Sequence, residues 1–185
     1  MLHQRRIWIL PLTMLLLIFI GIVTIYAFTL PSEITVYMYR LNSDGSKYQP
    51  EEPCSSGNTN WGCTAFDKDH YPPEQRRPYP YATNPVTVSI ESDYLLDVVP
   101  QEMNPGLFHP TALRAQAIAA RSFAYWHIHQ GSNINNSIQF QAFIPYKFES
   151  LNSGEQQAIS DAIAPRYYVS YSDDFSRPNR VFQRS

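Results

Sequence analysis

The chain has 185 residues, 14 Lys and Arg against 16 Asp and Glu, and a formal net charge of −2. That balance leaves no broad basic face, so nucleic acid is not an expected partner. The length suits one ordinary domain with a tether, and neither a cofactor nor a metal is expected.

Met1 to Arg6 is short and carries the basic pair Arg5-Arg6, and Ile7 to Leu30 then runs without one charged side chain. As a helix this stretch would measure roughly 36 Å at ~1.5 Å per residue, enough for a ~30 Å hydrocarbon core. Trp8 and Tyr26 lie near its ends, where interfacial aromatics are favoured. The positive-inside rule keeps Arg5 and Arg6 in the cytoplasm. A cleaved signal peptide is the rival reading, but its apolar region is shorter and small residues precede its cut site. Tyr26-Ala27-Phe28 matches such a site poorly. The expectation is a single-pass cell-membrane protein with residues 1–6 cytoplasmic, 7–30 spanning and the rest extracytoplasmic.

Ile34 to Tyr39 alternates aliphatic with polar-tipped residues, the pattern of a short strand. From Asn42 to Asn84 the chain is rich in Pro, Ser, Asn, Gly and charge, so 31–84 reads as a strand followed by a linker or long loop. Cys54 and Cys63 both fall here, and in an oxidising compartment an even count reads first as one local disulfide. Zinc would need two further ligands, and His70 is the one histidine nearby.

Regular structure resumes at Val86, where Val86, Val88 and Ile90 alternate with Thr87, Ser89 and Glu91. Ser92 can cap a short helix through Asp93 to Val99, with Asp93 and Asp97 in its first turns and Pro100 ending it. The clearest helix covers Thr111 to Gln130, with Pro110 as first-turn proline and Gly131 as a left-handed stop. Leu113, Ala117, Ala120, Ala124 and Ile128 recur at three- and four-residue steps and form its buried stripe. Ile138 to Tyr146 reads as a strand or extended segment, Ser153 to Ile163 as a helix opened by Ser153, and Tyr167 to Tyr171 as another strand. Residues 173–185 are polar without hydrophobic period and read as disordered or truncated. The fold class is therefore α+β: short strands packed on a long alanine-rich helix, after a transmembrane helix.

Two blocks are familiar. Asp93-Tyr94-Leu95-Leu96-Asp97-Val98-Val99-Pro100-Gln101-Glu102-Met103, and then Ala112-Leu113-Arg114-Ala115-Gln116-Ala117-Ile118-Ala119-Ala120-Arg121-Ser122-Phe123-Ala124, resemble the stage II sporulation protein D (SpoIID/LytB) family. Its hallmark reads approximately Y-L-x-G-V-V-P-x-E-M, then E-A-L-K-A-Q-A-V-A-A-R-T-Y-A. Weaker echoes at Gln141-Ala142-Phe143, Gly154 to Ile163 and Tyr167 to Tyr171 extend the resemblance over about 85–172. It implies action on peptidoglycan: some members are lytic transglycosylases that cut peptide-free glycan, and others enhance an N-acetylmuramoyl-L-alanine amidase. The family's catalytic acid maps onto Glu102.

A lytic transglycosylase needs no external water, so one carboxyl group suffices where hydrolysis usually employs two. Such an acid works best when burial raises its pKa. The residues flanking Glu102 (Pro100, Met103, Pro105, Leu107 and Phe108) are an apolar setting of that kind, while the plainer alternative is a solvated turn carboxylate. Arg114 and Arg121, one heptad apart, either line a groove and bind glycan or brace the two helices through Asp93 and Asp97, bracing being favoured. Gln116 either positions substrate or is a buried amide satisfied by backbone. His127 and His129 lie on opposite sides of a helix and cannot share a metal. Asp97 stands where the family pattern has glycine, a modest change if it faces solvent. Nothing after Tyr171 resembles the family's later serine-glycine-rich block, so the domain is expected to be partial. The leading expectation is a lytic transglycosylase acting on glycan strands through Glu102. The alternative is a non-catalytic glycan-binding module or amidase enhancer.

Overall fold

The computed structural model describes residues 30–55, 63, 84–170 and 180–183. The chain divides into Met1–Leu30 and Pro31–Ser185, and every element named below belongs to the second unit. The expected cytoplasmic tail, the anchor and most of the proline-rich stretch lie outside the described residues. Among those residues, no helix is long and apolar enough to cross a membrane. The architecture is mixed α+β.

Strand β1 (Glu33–Tyr37) pairs antiparallel with β2 (Val86–Ser89) and parallel with β3 (Ile134–Asn135), giving the order β2-β1-β3. Alternation sets the faces. Ile34 opposite Val88 and Val36 opposite Val86 are buried, while Thr35 and Thr87 meet on the outer face with hydroxyls 2.9 Å apart. β1 stops short of the expected Tyr39 because two side-chain amides take over the backbone pairing. Asn84 bonds both the N–H and the C=O of Met38 at 3.0 and 2.8 Å, and Asn136 does the same for Tyr39 at 2.9 Å each. Cys54 and Cys63 form a disulfide, Cα atoms 5.4 Å apart, and the Cys54 N–H also bonds Met38 O.

After β2 the chain enters one wide π turn, Ile90–Tyr94, capped by the Ser89 hydroxyl on Ser92 N–H rather than by Ser92 itself. It continues into helix α1 (Leu95–Glu102). Pro100 does not end this helix but lies inside it, and the Met103 N–H closes on Val99 O at 2.9 Å. An interior proline costs ~3 kcal/mol. Burial of Leu95, Val98 and Val99, worth roughly 1.5–3 kcal/mol each, outweighs that. The consequence is positional: Glu102 belongs to the last helical turn, not to a loop.

Helix α2 (Pro110–His129) forms the centre and packs against α1, α3 (Ser153–Ile163) and β4 (Tyr167–Ser170). His109 Nδ1 caps it by accepting from Thr111 N–H, Pro110 opens it, and Gly131 leaves it at φ +65°. Leu113, Ala117, Ala120 and Ala124 are buried, and the three small alanine side chains leave room for the elements packed against α2. Helix α3 is opened by Asn152 rather than Ser153, through a capping box with Glu155.

Two expectations are corrected. Residues 138–146, expected as a strand or extended segment, form turns and coil; Ala142 and Tyr146 donate to carboxylates of α1, while Ile138 and Phe143 donate to the Gly45 and Asn136 carbonyls instead of to a neighbouring strand. The tail is not wholly irregular: β5 (Arg180–Gln183) pairs antiparallel with β4, where backbone pairing alone satisfies the ladder without any hydrophobic period.

Candidate functional site

Glu102 closes α1 with an exposed side chain. Its Oε1 accepts the Ala142 N–H at 2.8 Å, and no other hydrogen bond joins its carboxylate to a described residue. Two further side chains from the same stretch of helix reach the same segment. Tyr94 donates its hydroxyl to Gln141 Oε1 at 3.0 Å, and its ring packs on Phe143 with centroids 5.3 Å apart. Asp97 Oδ2 accepts Tyr146 N–H at 3.2 Å and its Oδ1 accepts Phe148 N–H at 3.0 Å. Burial first, and then the nearby Glu102 charge, hold the Tyr94 phenol well above its usual pKa, so it stays protonated and remains a donor.

This geometry revises several expectations. Glu102 is not sunk in an apolar crevice: Leu107 is 79% and Phe108 47% exposed. The turn between α1 and α2 is drawn toward α3 instead of folding back over Glu102. Asn104 Oδ1 accepts Gly106 N–H at 2.9 Å, and a side chain on Gly106 would place its Cβ 2.8 Å from Glu155 Oε1. Asp97 neither faces solvent nor merely tunes a helix end. It is 0% exposed and its carboxylate serves as a backbone partner for a distant segment.

Arg121 is likewise not available to substrate. It is 0% exposed, and its guanidinium forms a bidentate pair with Glu91, both N···O distances 2.8 Å. Its remaining donors reach Ile163 O at 2.9 Å, Tyr167 O at 2.8 Å and Pro165 O at 3.4 Å, which ties the end of α3 to α2. Bracing is thus its role, with Glu91 as partner in place of Asp93 or Asp97. The heptad spacing misled because Arg114, on the same helix, is exposed. Neither Arg114 nor half-buried Gln116 bonds to Glu102, so the structure does not gather the expected binding residues around it. Among the described residues, no group of three or more His, Cys, Asp and Glu could hold a metal ion.

Sequence reasoning missed Glu91, read only as a strand end, and the gripping role of Tyr94. The Gln141-Ala142-Phe143 echo was the one signal that pointed at the partner segment. What the cluster offers chemically is a carboxylate oriented through one oxygen, with the other open to an incoming group. No curated protein and no solved structure matched the chain. Residues 82–165 match the family model described as SpoIID, stage II sporulation protein, and this stretch contains Glu102, its Ala142 partner, and all of α1, α2 and α3.

Proposed function

We propose that the chain is an extracytoplasmic peptidoglycan-remodelling protein, held at the cell membrane by residues 7–30. Its SpoIID domain cleaves peptide-free glycan as a lytic transglycosylase. The observation that carries this reading is the half-anchored carboxylate: Glu102 Oε1 is fixed by the Ala142 N–H, and Oε2 remains open. Protonated, Glu102 gives its proton to the glycosidic oxygen as the bond from muramyl C1 breaks. Ionised, it takes the proton of the muramyl C6 hydroxyl while that oxygen closes onto C1, forming the 1,6-anhydro ring. The leaving strand keeps the first proton and Glu102 regains one, so the residue ends as it began. No second carboxylate is required, because no water is activated. Because Glu102 is exposed in the free chain, the proposed mechanism leaves the exclusion of water to the substrate, whose sugar rings cover Glu102 on binding.

The same exposure favours a second reading, a non-catalytic module that binds glycan or stimulates an N-acetylmuramoyl-L-alanine amidase. Glu102→Gln separates the two. Glutamine retains a carbonyl to accept the Ala142 N–H, so the fold survives while proton transfer is lost. Release of anhydromuramyl products from peptide-free glycan is expected to fall by about 10²–10⁴-fold, the usual worth of acid–base catalysis. Equal product from both proteins eliminates the mechanism. Amidase stimulation that survives the substitution, without any anhydromuramyl product, supports the module.

A further inference from the structure

We propose that Tyr94 and Asp97 are positioning residues for Glu102, acting through the segment from Gln141 to Phe148; the inference rests on reading Glu102 as the acid and base. This segment carries no ladder, yet Gln141 to Tyr146 is buried, so its N–H groups must find partners elsewhere. Three of them, at Ala142, Tyr146 and Phe148, are taken by carboxylate oxygens from α1. Tyr94 holds the near end through the Gln141 amide, immediately beside Ala142. Asp97 holds the far end, where the backbone passes through φ +66° at Tyr146. That left-handed conformation is disfavoured for any residue with a side chain, and it persists where its surroundings fix it. Asp97 supplies part of that fixing, since it bonds the N–H of Tyr146 itself and of Phe148 two residues on.

The consequence reaches Glu102 because the Ala142 N–H is its one hydrogen-bond partner among the described residues. An exposed glutamate on a last helical turn otherwise samples several rotamers. The segment therefore sets where Oε2 points, and Tyr94 and Asp97 set where the segment lies. Helix α1 does not need this grip for its own burial, which Leu95, Val98 and Val99 supply.

Tyr94→Phe and Asp97→Asn test the inference on the 185-residue chain in detergent. Phenylalanine keeps the ring against Phe143 and removes only the hydroxyl. Asparagine keeps the size of Asp97 but offers one acceptor to two N–H groups. In each variant, amide exchange at Ala142 should quicken about tenfold or more, while Ala117 and Ala120 in α2 keep wild-type rates. The kcat for anhydromuramyl release should fall roughly 10- to 100-fold with KM unchanged, as displacement of a reacting group by ~1 Å predicts. Unchanged exchange at Ala142 with unchanged kcat in both variants overturns the proposal. So does a loss of kcat accompanied by equally faster exchange at Ala117 and Ala120, which marks a merely structural role. Should Asp97→Asn fail to fold, Tyr94→Phe alone decides. A wild-type chain that releases no anhydromuramyl product refutes the reading of Glu102, and the exchange data then still accept or reject the grip.

Discussion

Arg121→Met removes a charge from the middle of the fold while keeping an unbranched side chain along the aliphatic part of the arginine's path. In the native chain, the Glu91 carboxylate has 15% of its side-chain surface exposed, and Arg121 supplies both of its close nitrogen partners. Among the described residues, the substitution leaves that carboxylate with the 3.4 Å contact from the Tyr125 hydroxyl, and it strips a donor from the Ile163, Pro165 and Tyr167 carbonyls. Breaking a buried pair by removing one partner costs about 3–5 kcal/mol. Against a total stability of about 5–15 kcal/mol, that is a large share. At ~2–4 °C per kcal/mol for a chain of this size, the melting temperature should drop by roughly 6–20 °C. Arg121→Lys should rescue little, because an ammonium cannot span the carboxylate and the carbonyls as a planar fork does. The double change Glu91→Leu with Arg121→Met should recover part of the loss, since an apolar pair leaves no orphaned charge. Urea unfolding followed by tryptophan fluorescence measures all three. A cost below ~1 kcal/mol for Arg121→Met, together with weakened glycan binding, would refute the bracing role and restore Arg121 to a substrate groove.

Gly106→Ala should cost about 0.5–1 kcal/mol, because the new Cβ displaces Glu155 and with it the Asn152 N–H to Glu155 Oε2 half of the capping box. In a Glu155→Ala background that cost should vanish, and an equal cost in both backgrounds contradicts the argument. Burial holds the His127 pKa below its ordinary 6.5, so the unfolded chain binds a proton first. The stability this contributes is complete above pH 6.5 and is lost as pH falls below it; His127→Phe should remove that component, and a wild-type-minus-variant difference independent of pH refutes it.

The elements that local chemistry dictates were legible. Alternation of Val86 and Val88 with Thr87, the alanine stripe of α2, and the Pro110 and Gly131 boundaries each need only neighbouring residues to be recognised. What stayed hidden were partnerships over long sequence distance. Asp97 sits early in its helix, so favourable interaction with the helix end explained it locally; its actual partners lie 49 and 51 residues away. Arg121 looked like Arg114 because heptad spacing fixes direction on a helix but not depth. Depth depends on which segment arrives from elsewhere, here the end of α3 and Glu91. The apolar residues after Glu102 suggested a crevice, yet composition does not say which way a turn folds. Glu155, on α3, meets that turn at Gly106.

Asp97 and Glu102 make the distinction between a structural and a chemically available carboxylate concrete. Both lie on α1 and both accept backbone N–H groups from one segment. Asp97 is buried with each oxygen engaged, Oδ1 by Phe148 and Oδ2 by Tyr146, so its hydrogen-bonding capacity goes into holding the chain. Glu102 engages one oxygen and presents the other outward. Acidity alone would not separate the two, and neither would their positions in the motif. An anchored oxygen gives direction, an open oxygen gives access, and a proton donor to a glycosidic bond needs both at once. Glu102 meets that pair of conditions and Asp97 does not. Under the proposed transglycosylase reading the chemistry falls to the less buried acid, and bound sugar rings supply the dry environment.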